Sequence, residues 1–324
     1  MSEEITRRQA VGRLAKLGLT AAVTAGGYGL LYGRSTTEAP AADPGRPTYF
    51  KLEDAPGGVV KVVAREAAPA EELVRRALEP LGGLGRFVSR GDVVAVKANM
   101  SWDRPPELAA NTNPEVISAV VRLCFEAGAA RVRLVDHSIN DPRRVYLTCG
   151  AEAAAKATGA ELVYPDSRHF KEMDLGGRRL GRWKVYTPVL EADKLVNLPV
   201  AKSHGLCRVT LGLKSWIGAV GGSRGALHQD IHQSIVDLAS YFQPTLVIVD
   251  AVRIMLRNGP SGGRPSDVAV KNTVLAGTDQ VAVDAATLPL FGLSPEEVGY
   301  IPLAEQQGLG RIDPGPGGLI EIKL

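Results

Sequence analysis

Six short runs, at 59–64, 92–98, 131–135, 194–198, 245–249 and 272–276, are mostly apolar, each with apolar residues at adjacent positions. A strand with that pattern has to be covered on both faces, which is the situation of strands inside a mostly parallel sheet. The segments between them repeat with helical period. The stretch 69–81 opens with Pro69, Glu71 and Glu72 and keeps Leu73, Ala77, Leu78 and Leu81 on one face. Asn113 and Pro114 start a second helix as N-cap and first turn, Val116, Val120 and Leu123 form its inner face, and Gly128 stops it. Stretches 280–288 and 301–307 read as helices, and 319–322 as a closing strand. The expected fold is therefore α/β, a mostly parallel sheet flanked by helices on both faces. The more polar stretch 160–186 reads as a small inserted excursion.

Charge is distributed unevenly on this frame. Between Lys194 and Gln229 there are five permanent cations (Lys194, Lys202, Arg208, Lys214, Arg224) and two histidines (His204, His228), with no Asp or Glu. Apolar residues and glycines fill the rest. A one-signed polar set within an apolar segment implies convergence on something negative: a carboxylate, a phosphate or the protein's own buried acids.

The first 41 residues read as an export signal. Arg7 and Arg8 sit in a basic region with Arg13 and Lys16, residues 17–33 carry no charge, and Ala39-Pro40-Ala41 is a small-x-small cleavage site. The paired arginines point to the twin-arginine route, hence to the twin-arginine translocase as a partner and a periplasmic or extracytoplasmic location. An ordinary secretory signal or a retained anchor is the competing reading. A spanning anchor needs about 20 strongly apolar residues, and this run is shorter and glycine-rich. Residues 42–58, rich in Pro, Gly and Ala, read as a linker, and 59–324 as one α/β domain. Residues 1–41 hold five of the 38 basic and three of the 35 acidic residues, so the remainder is nearly neutral. That balance argues against a nucleic-acid surface. Cys124, Cys149 and Cys207 lie far apart, with no iron–sulfur spacing and no disulfide framework, and are expected as buried apolar residues.

In open α/β sheets ligands collect beyond the carboxyl ends of the strands, and several runs end in polar residues. These are Lys97 and Asn99, Asp136 to Ser138, Lys202 to His204, and Asp250, with Asp279 and Asp284 following the run at 272–276. Neither GxGxxG nor GxxxxGK[ST] occurs, so no nucleotide-binding loop is expected. Gly221-Gly222-Ser223-Arg224-Gly225 matches GxSxG, but no histidine follows Asp250, so Ser223 lacks the partners of a hydrolase nucleophile. His204, His228 and His232 with Asp250 or Asp284 are a possible metal set. The nearby Lys202, Lys214 and Arg224 oppose a divalent ion, and which metal, if any, stays open.

The series VxVKxN, TNPEV, LVD, NLPVAKSH, VTLGLKSWIG, IVDA, NGP, GTDQVAVDAA and QQGLG resembles the domain-of-unknown-function 362 family, over most of the chain after residue 59. Many relatives carry a ferredoxin-like cysteine module that is absent from this sequence, and the family's reaction is not established. Ala98 stands where relatives usually have Pro, and Ser215 where they usually have Asn.

Three readings follow. The leading one is an exported enzyme acting on a small anionic, carboxylate-bearing molecule. Lys97, Asn99, Asn113, Lys202 and Arg224 would hold the ligand, and His204 or His228 would move a proton beside Lys202 and Lys214. Asp136, Asp250 and Asp284 would orient these bases or bind a metal. The second is a periplasmic binding protein without chemistry, and the third a redox accessory fed by external electron carriers. The cofactor is left unassigned, and no nucleic-acid contact, or membrane contact after signal removal, is expected.

Overall fold

The computed structural model describes residues 50–52 and 54–324. The signal at 1–41 and most of the linker therefore lie outside the described residues. Twelve strands are described: β1 Val59–Val63, β2 Val93–Ala98, β3 Arg131–Val135, β4 Glu161–Leu162, β5 Phe170–Asp174, β6 Arg182–Tyr186, β7 Lys194–Leu198, β8 Val200–His204, β9 Arg208–Thr210, β10 Leu246–Met255, β11 Val268–Gly277 and β12 Leu319–Lys323. The main sheet runs β12-β1-β11-β10-β7-β2-β3-β4, with β8 pairing β10 and β9. Its centre, β10-β7-β2-β3-β4, is parallel throughout, whereas β11 lies antiparallel to both β1 and β10.

Side-chain alternation explains why the central runs are apolar throughout. On β2, Val94, Val96 and Ala98 join one core, which also contains the inner faces of helices α1 (Ala70–Leu78) and α2 (Pro114–Glu126). Ala95 on the same strand joins the other core. Two further helices, α3 (Pro142–Thr148) and α4 (Ala151–Thr158), cover the first face. The short α5 (Gly212–Ser215) and helices α6 (Ile231–Tyr241), α7 (Gln280–Thr287) and α8 (Tyr300–Gln306) cover the second. A strand buried on both faces gains burial energy from every residue, about 1.5–3 kcal/mol for each large apolar side chain. That gain is why period-2 alternation is missing from the sequence.

Two details go beyond the sequence reading. The excursion contains a separate two-stranded antiparallel sheet, β5–β6. Further along, Pro199 does not end the strand at Leu198. The Pro199 carbonyl accepts the Asp250 N–H at 2.9 Å, and the chain resumes as β8, parallel to the outer half of β10. This second strand carries Lys202 and His204 past the sheet edge on one side, while Ser203 faces the other way. Among the described residues no helix is long and apolar enough to cross a membrane.

Two of the acids expected to orient bases are instead part of the framework. The buried Asp250 carboxylate accepts the N–H of Asn113 at 2.7 Å and of Val252 at 3.1 Å. The buried Asp284 carboxylate accepts the N–H of Gly212 at 2.7 Å and of Leu213 at 2.9 Å, which holds the first turn of α5. Burial outweighs these bonds and pushes Asp250 up to about 6 and Asp284 up to about 7. Asp284→Ala orphans two buried donors, so it is expected to lower unfolding free energy by about 2–4 kcal/mol. Urea denaturation measures this; a loss below about 0.5 kcal/mol would remove Asp284 from the framework.

Candidate functional site

Beyond the carboxyl ends of β2, β3 and β7 lies a cavity of about 180 Å³. Its lining includes Asn99, Ser101, Lys202, His204, Thr210, Lys214, Ser215, Arg224 and His228, with Trp102, Ile139, Ile217 and Pro260 as its apolar part. Each polar group arrives by a distinct route. Lys202 and His204 project from the same face of β8, and Thr210 of β9 stands directly opposite Lys202. Lys214 rides on α5. Arg224 and His228 come from the 3-10 turn Arg224–Asp230 that leads into α6.

Among the described residues no carboxylate lines this cavity. Asp136 lies behind Gly218 and is committed elsewhere. Its Oδ1 pairs with Lys97 Nζ at 2.8 Å with both side chains fully buried, and its Oδ2 accepts the Met100 N–H at 2.7 Å and the Ser101 hydroxyl at 3.1 Å. A Cβ on Gly218 would sit 2.8 Å from Lys97 Nζ and still closer to Asp136, so only glycine lets this segment pass over the ion pair.

The three lysines buried among the described residues differ in how their ammonium groups are used. Lys97 is ion-paired with Asp136 and donates to the Ala98 carbonyl at 3.1 Å and to the Ser215 hydroxyl at 3.0 Å. Lys202 donates to Asn99 Oδ1 at 3.1 Å and to the Ala110 carbonyl, leaving one. Lys214 is only 8% exposed and has no hydrogen-bond or ion-pair partner among the described residues. Burial, opposed by a neighbouring thiol and reinforced by Lys97, draws the Lys214 amine below its ordinary value. Burial and the charge of Lys214 push Lys202 well below. Arg224 uses two guanidinium nitrogens to hold the carbonyls of His137 at 2.7 Å and Ser138 at 2.8 Å. Thr210 also has a buried hydroxyl oxygen without a partner.

The two histidines are held in opposite tautomers. The Leu206 N–H donates to His204 Nδ1 at 3.2 Å, so neutral His204 carries its proton on Nε2. The Arg224 carbonyl can only accept, so His228 Nδ1 donates to it at 3.2 Å, and in the neutral ring Nε2 is the nitrogen with the lone pair. The rings lie nearly parallel, 6.3 Å between centroids. Burial first, then the charges of Lys214, His228 and Lys202, push His204 down to about 3. One ring thus offers a donor and the other an acceptor.

Of the sequence-stated candidates, Asn99, Lys202, His204, Lys214, Arg224 and His228 meet in the cavity. Lys97 and Asp136 form the ion pair beneath it. Asn113 caps α2 through its side chain, which accepts the Glu115 N–H at 3.1 Å, and with Asp250 and Asp284 it is absent from the lining. Lys194 and Arg208 also stay outside, Arg208 pairing with Glu297 at 3.4 Å. His232 packs against Tyr300 and does not join His204 and His228. Among the described residues no group of three or more His, Cys, Asp or Glu is gathered that could hold a metal. Cys124, Cys149 and Cys207 are buried and unpaired with one another. Ser223 is exposed, outside the cavity. Sequence reasoning missed Thr210 and Ser101. The signal for Thr210 was its place opposite Lys202 in a hairpin, visible only once β8 is recognised as a strand.

The chain belongs to the family described as Domain of unknown function (DUF362), whose model matches residues 94–289. The thylakoid-associated protein sll1697 of Synechocystis sp. is 28% identical over 253 residues, covering 75% of this chain and 77% of the relative. Among solved structures, the lactate racemase apoprotein from Thermoanaerobacterium thermosaccharolyticum has 14% identity and a TM-score of 0.38 over 71% of this chain. A Thermotoga maritima protein has 11% identity and a TM-score of 0.35 over 74%. The chain spans 57% and 60% of those two structures' chains, and likeness at this level carries nothing about chemistry.

Two buried lysines should respond oppositely to loss of charge. Lys97→Met leaves Asp136 uncompensated and is expected to cost about 3–5 kcal/mol, whereas Lys214→Met removes an unpaired buried cation and is expected to gain about 1–2 kcal/mol. Chemical denaturation of both variants decides it, and destabilisation by Lys214→Met would mean that its charge is already neutralised.

His204 gives a pH signature. With its folded value depressed from 6.5 to about 3, the stability it contributes is fully present above about pH 6.5. That contribution is lost as pH falls toward 3. Relative to His204→Gln, wild-type stability should therefore decline on acidification from pH 7 to 4, read as urea midpoints across that range. A constant difference would show that His204 titrates normally.

Proposed function

We propose that this chain is an enzyme that binds a small, carboxylate-bearing anion in the cavity and moves a proton on it. The observation that carries this reading is Lys214. A buried ammonium without a counter-ion, beside Lys202 and Arg224, costs folding free energy, and a bound carboxylate offsets that cost. A cavity of roughly 150 Å³ takes a benzene-sized molecule, so 180 Å³ suits a small organic acid. Lys214 and the remaining N–H groups of Lys202 and Arg224 supply charge-assisted donors for its oxygens. The Thr210 hydroxyl can serve the same ligand.

The paired histidines favour chemistry over simple capture. A carboxylate receptor needs donors only, yet His228 presents an acceptor nitrogen to a cavity otherwise rich in donors. With His204 as proton donor and His228 as proton acceptor, the two edges of a bound molecule meet groups of opposite function. We further propose that the protein is exported through the twin-arginine system, on the strength of Arg7-Arg8, the uncharged stretch after them and the small-residue site at 39–41.

Calorimetry with acetate, pyruvate and malonate against their neutral amides tests the binding reading. The carboxylates are expected to bind and the amides not, with affinity falling at least tenfold, about 1.4 kcal/mol, in Lys214→Met. Because burial lowers both cavity lysines, carboxylate affinity should weaken as pH rises and they lose charge. Equal binding of acids and amides, or indifference to Lys214, would contradict the proposal.

A further inference from the structure

We propose that Lys214 is a nucleophile that forms an imine with small carbonyl-bearing carboxylates, so that the ligand class narrows to oxo acids. This rests on the carboxylate reading above and extends it to covalent chemistry.

The inference comes from comparing the three buried lysines. Lys97 is held by its ion pair with Asp136 and two hydrogen bonds, and Lys202 is fixed by Asn99 and the Ala110 carbonyl. Their nitrogens are held as donors, and each would have to break buried bonds before presenting a lone pair. Lys214 has no such bonds among the described residues and lines the cavity. Among the described residues it is the one buried lysine whose nitrogen can approach a carbonyl carbon without dismantling a hydrogen-bond set. Desolvation, opposed by the Cys207 thiol and reinforced by the charge of Lys97, shifts Lys214 toward the neutral amine, the form that attacks. Lys202 and Arg224 remain to hold the carboxylate, which places an adjacent carbonyl within the same small cavity as the Lys214 nitrogen.

The step balances without a further reactant. The lone pair of the neutral amine forms a C–N bond to the carbonyl carbon, giving a carbinolamine. The C–O bond then breaks, and the oxygen leaves as one water carrying both amine protons, relayed through solvent or the ring nitrogens. His204 Nε2–H is a donor available to the departing oxygen, and its own proton is restored from the amine nitrogen. A proton taken up from solvent by the imine nitrogen makes the neighbouring C–H acidic, and the His228 Nε2 lone pair is the acceptor available for the C–H proton.

Sodium borohydride trapping of the full chain with pyruvate or glyoxylate tests the inference. We expect a reduced adduct in the intact mass, mapped by peptide sequencing to Lys214, absent from Lys214→Arg and suppressed by excess acetate. In deuterium oxide, pyruvate methyl protons should exchange faster with wild type than with either Lys214→Arg or His228→Ala. If pyruvate and acetate bind in calorimetry but no adduct forms on Lys214, the covalent step is wrong and the anion site stands. If neither acid binds, both readings fall. An adduct on Lys202 or on exposed lysines alone overturns the assignment, and because mapping uses wild-type protein, misfolding of a variant cannot obscure that result.

Discussion

Asp136 can neutralise only one cation, and the fold gives it to Lys97. Both groups are fully buried at 2.8 Å, and Asp136 is further held by Met100 and Ser101. That arrangement fixes the ends of β2 and β3 against α5, and it exhausts the negative charge next to the cavity. Lys202, Lys214 and Arg224 are then left facing a space with no carboxylate from the described residues in its wall. Had Asp136 pointed into the cavity, the same residues would form a closed structural network with nothing to offer a ligand.

The framework around this pair is built to keep charges apart. Asp284 and Asp250, which could have quenched the cavity lysines, are drawn away by backbone N–H groups of α5 and of the start of α2. Gly218 allows the chain to cross directly over the ion pair, sealing it from the cavity. The result is a site held at a stability cost, a pattern common where function requires an unsatisfied group. The depressed His204 follows from the same one-signed surroundings.

Much of the architecture was legible in the sequence because burial on both faces leaves a direct trace. The runs at 92–98, 131–135 and 245–249 are apolar for the reason that Val94 and Ala95 belong to different cores. The convergence of Lys202, His204, Lys214, Arg224 and His228 was legible as a one-signed segment. The partners of the acids were not. Asp250 bonds Asn113 and Asp284 bonds Gly212, contacts between residues 137 and 72 positions apart, and no local pattern marks a backbone amide as a partner. Pro199 hid β8, since proline ordinarily ends a paired strand, and with it the register that sets Thr210 opposite Lys202. Lys97 read as a ligand holder because a strand-end lysine looks the same in sequence whether it faces a cavity or an aspartate.

A crystal structure grown in the presence of malonate tests the central claim most directly. We expect carboxylate density within hydrogen-bond distance of Lys214 Nζ and Arg224, with Lys97 still paired to Asp136. A Lys214 ammonium found bonded to one of the chain's own carboxylates, with malonate absent from the cavity, would contradict it.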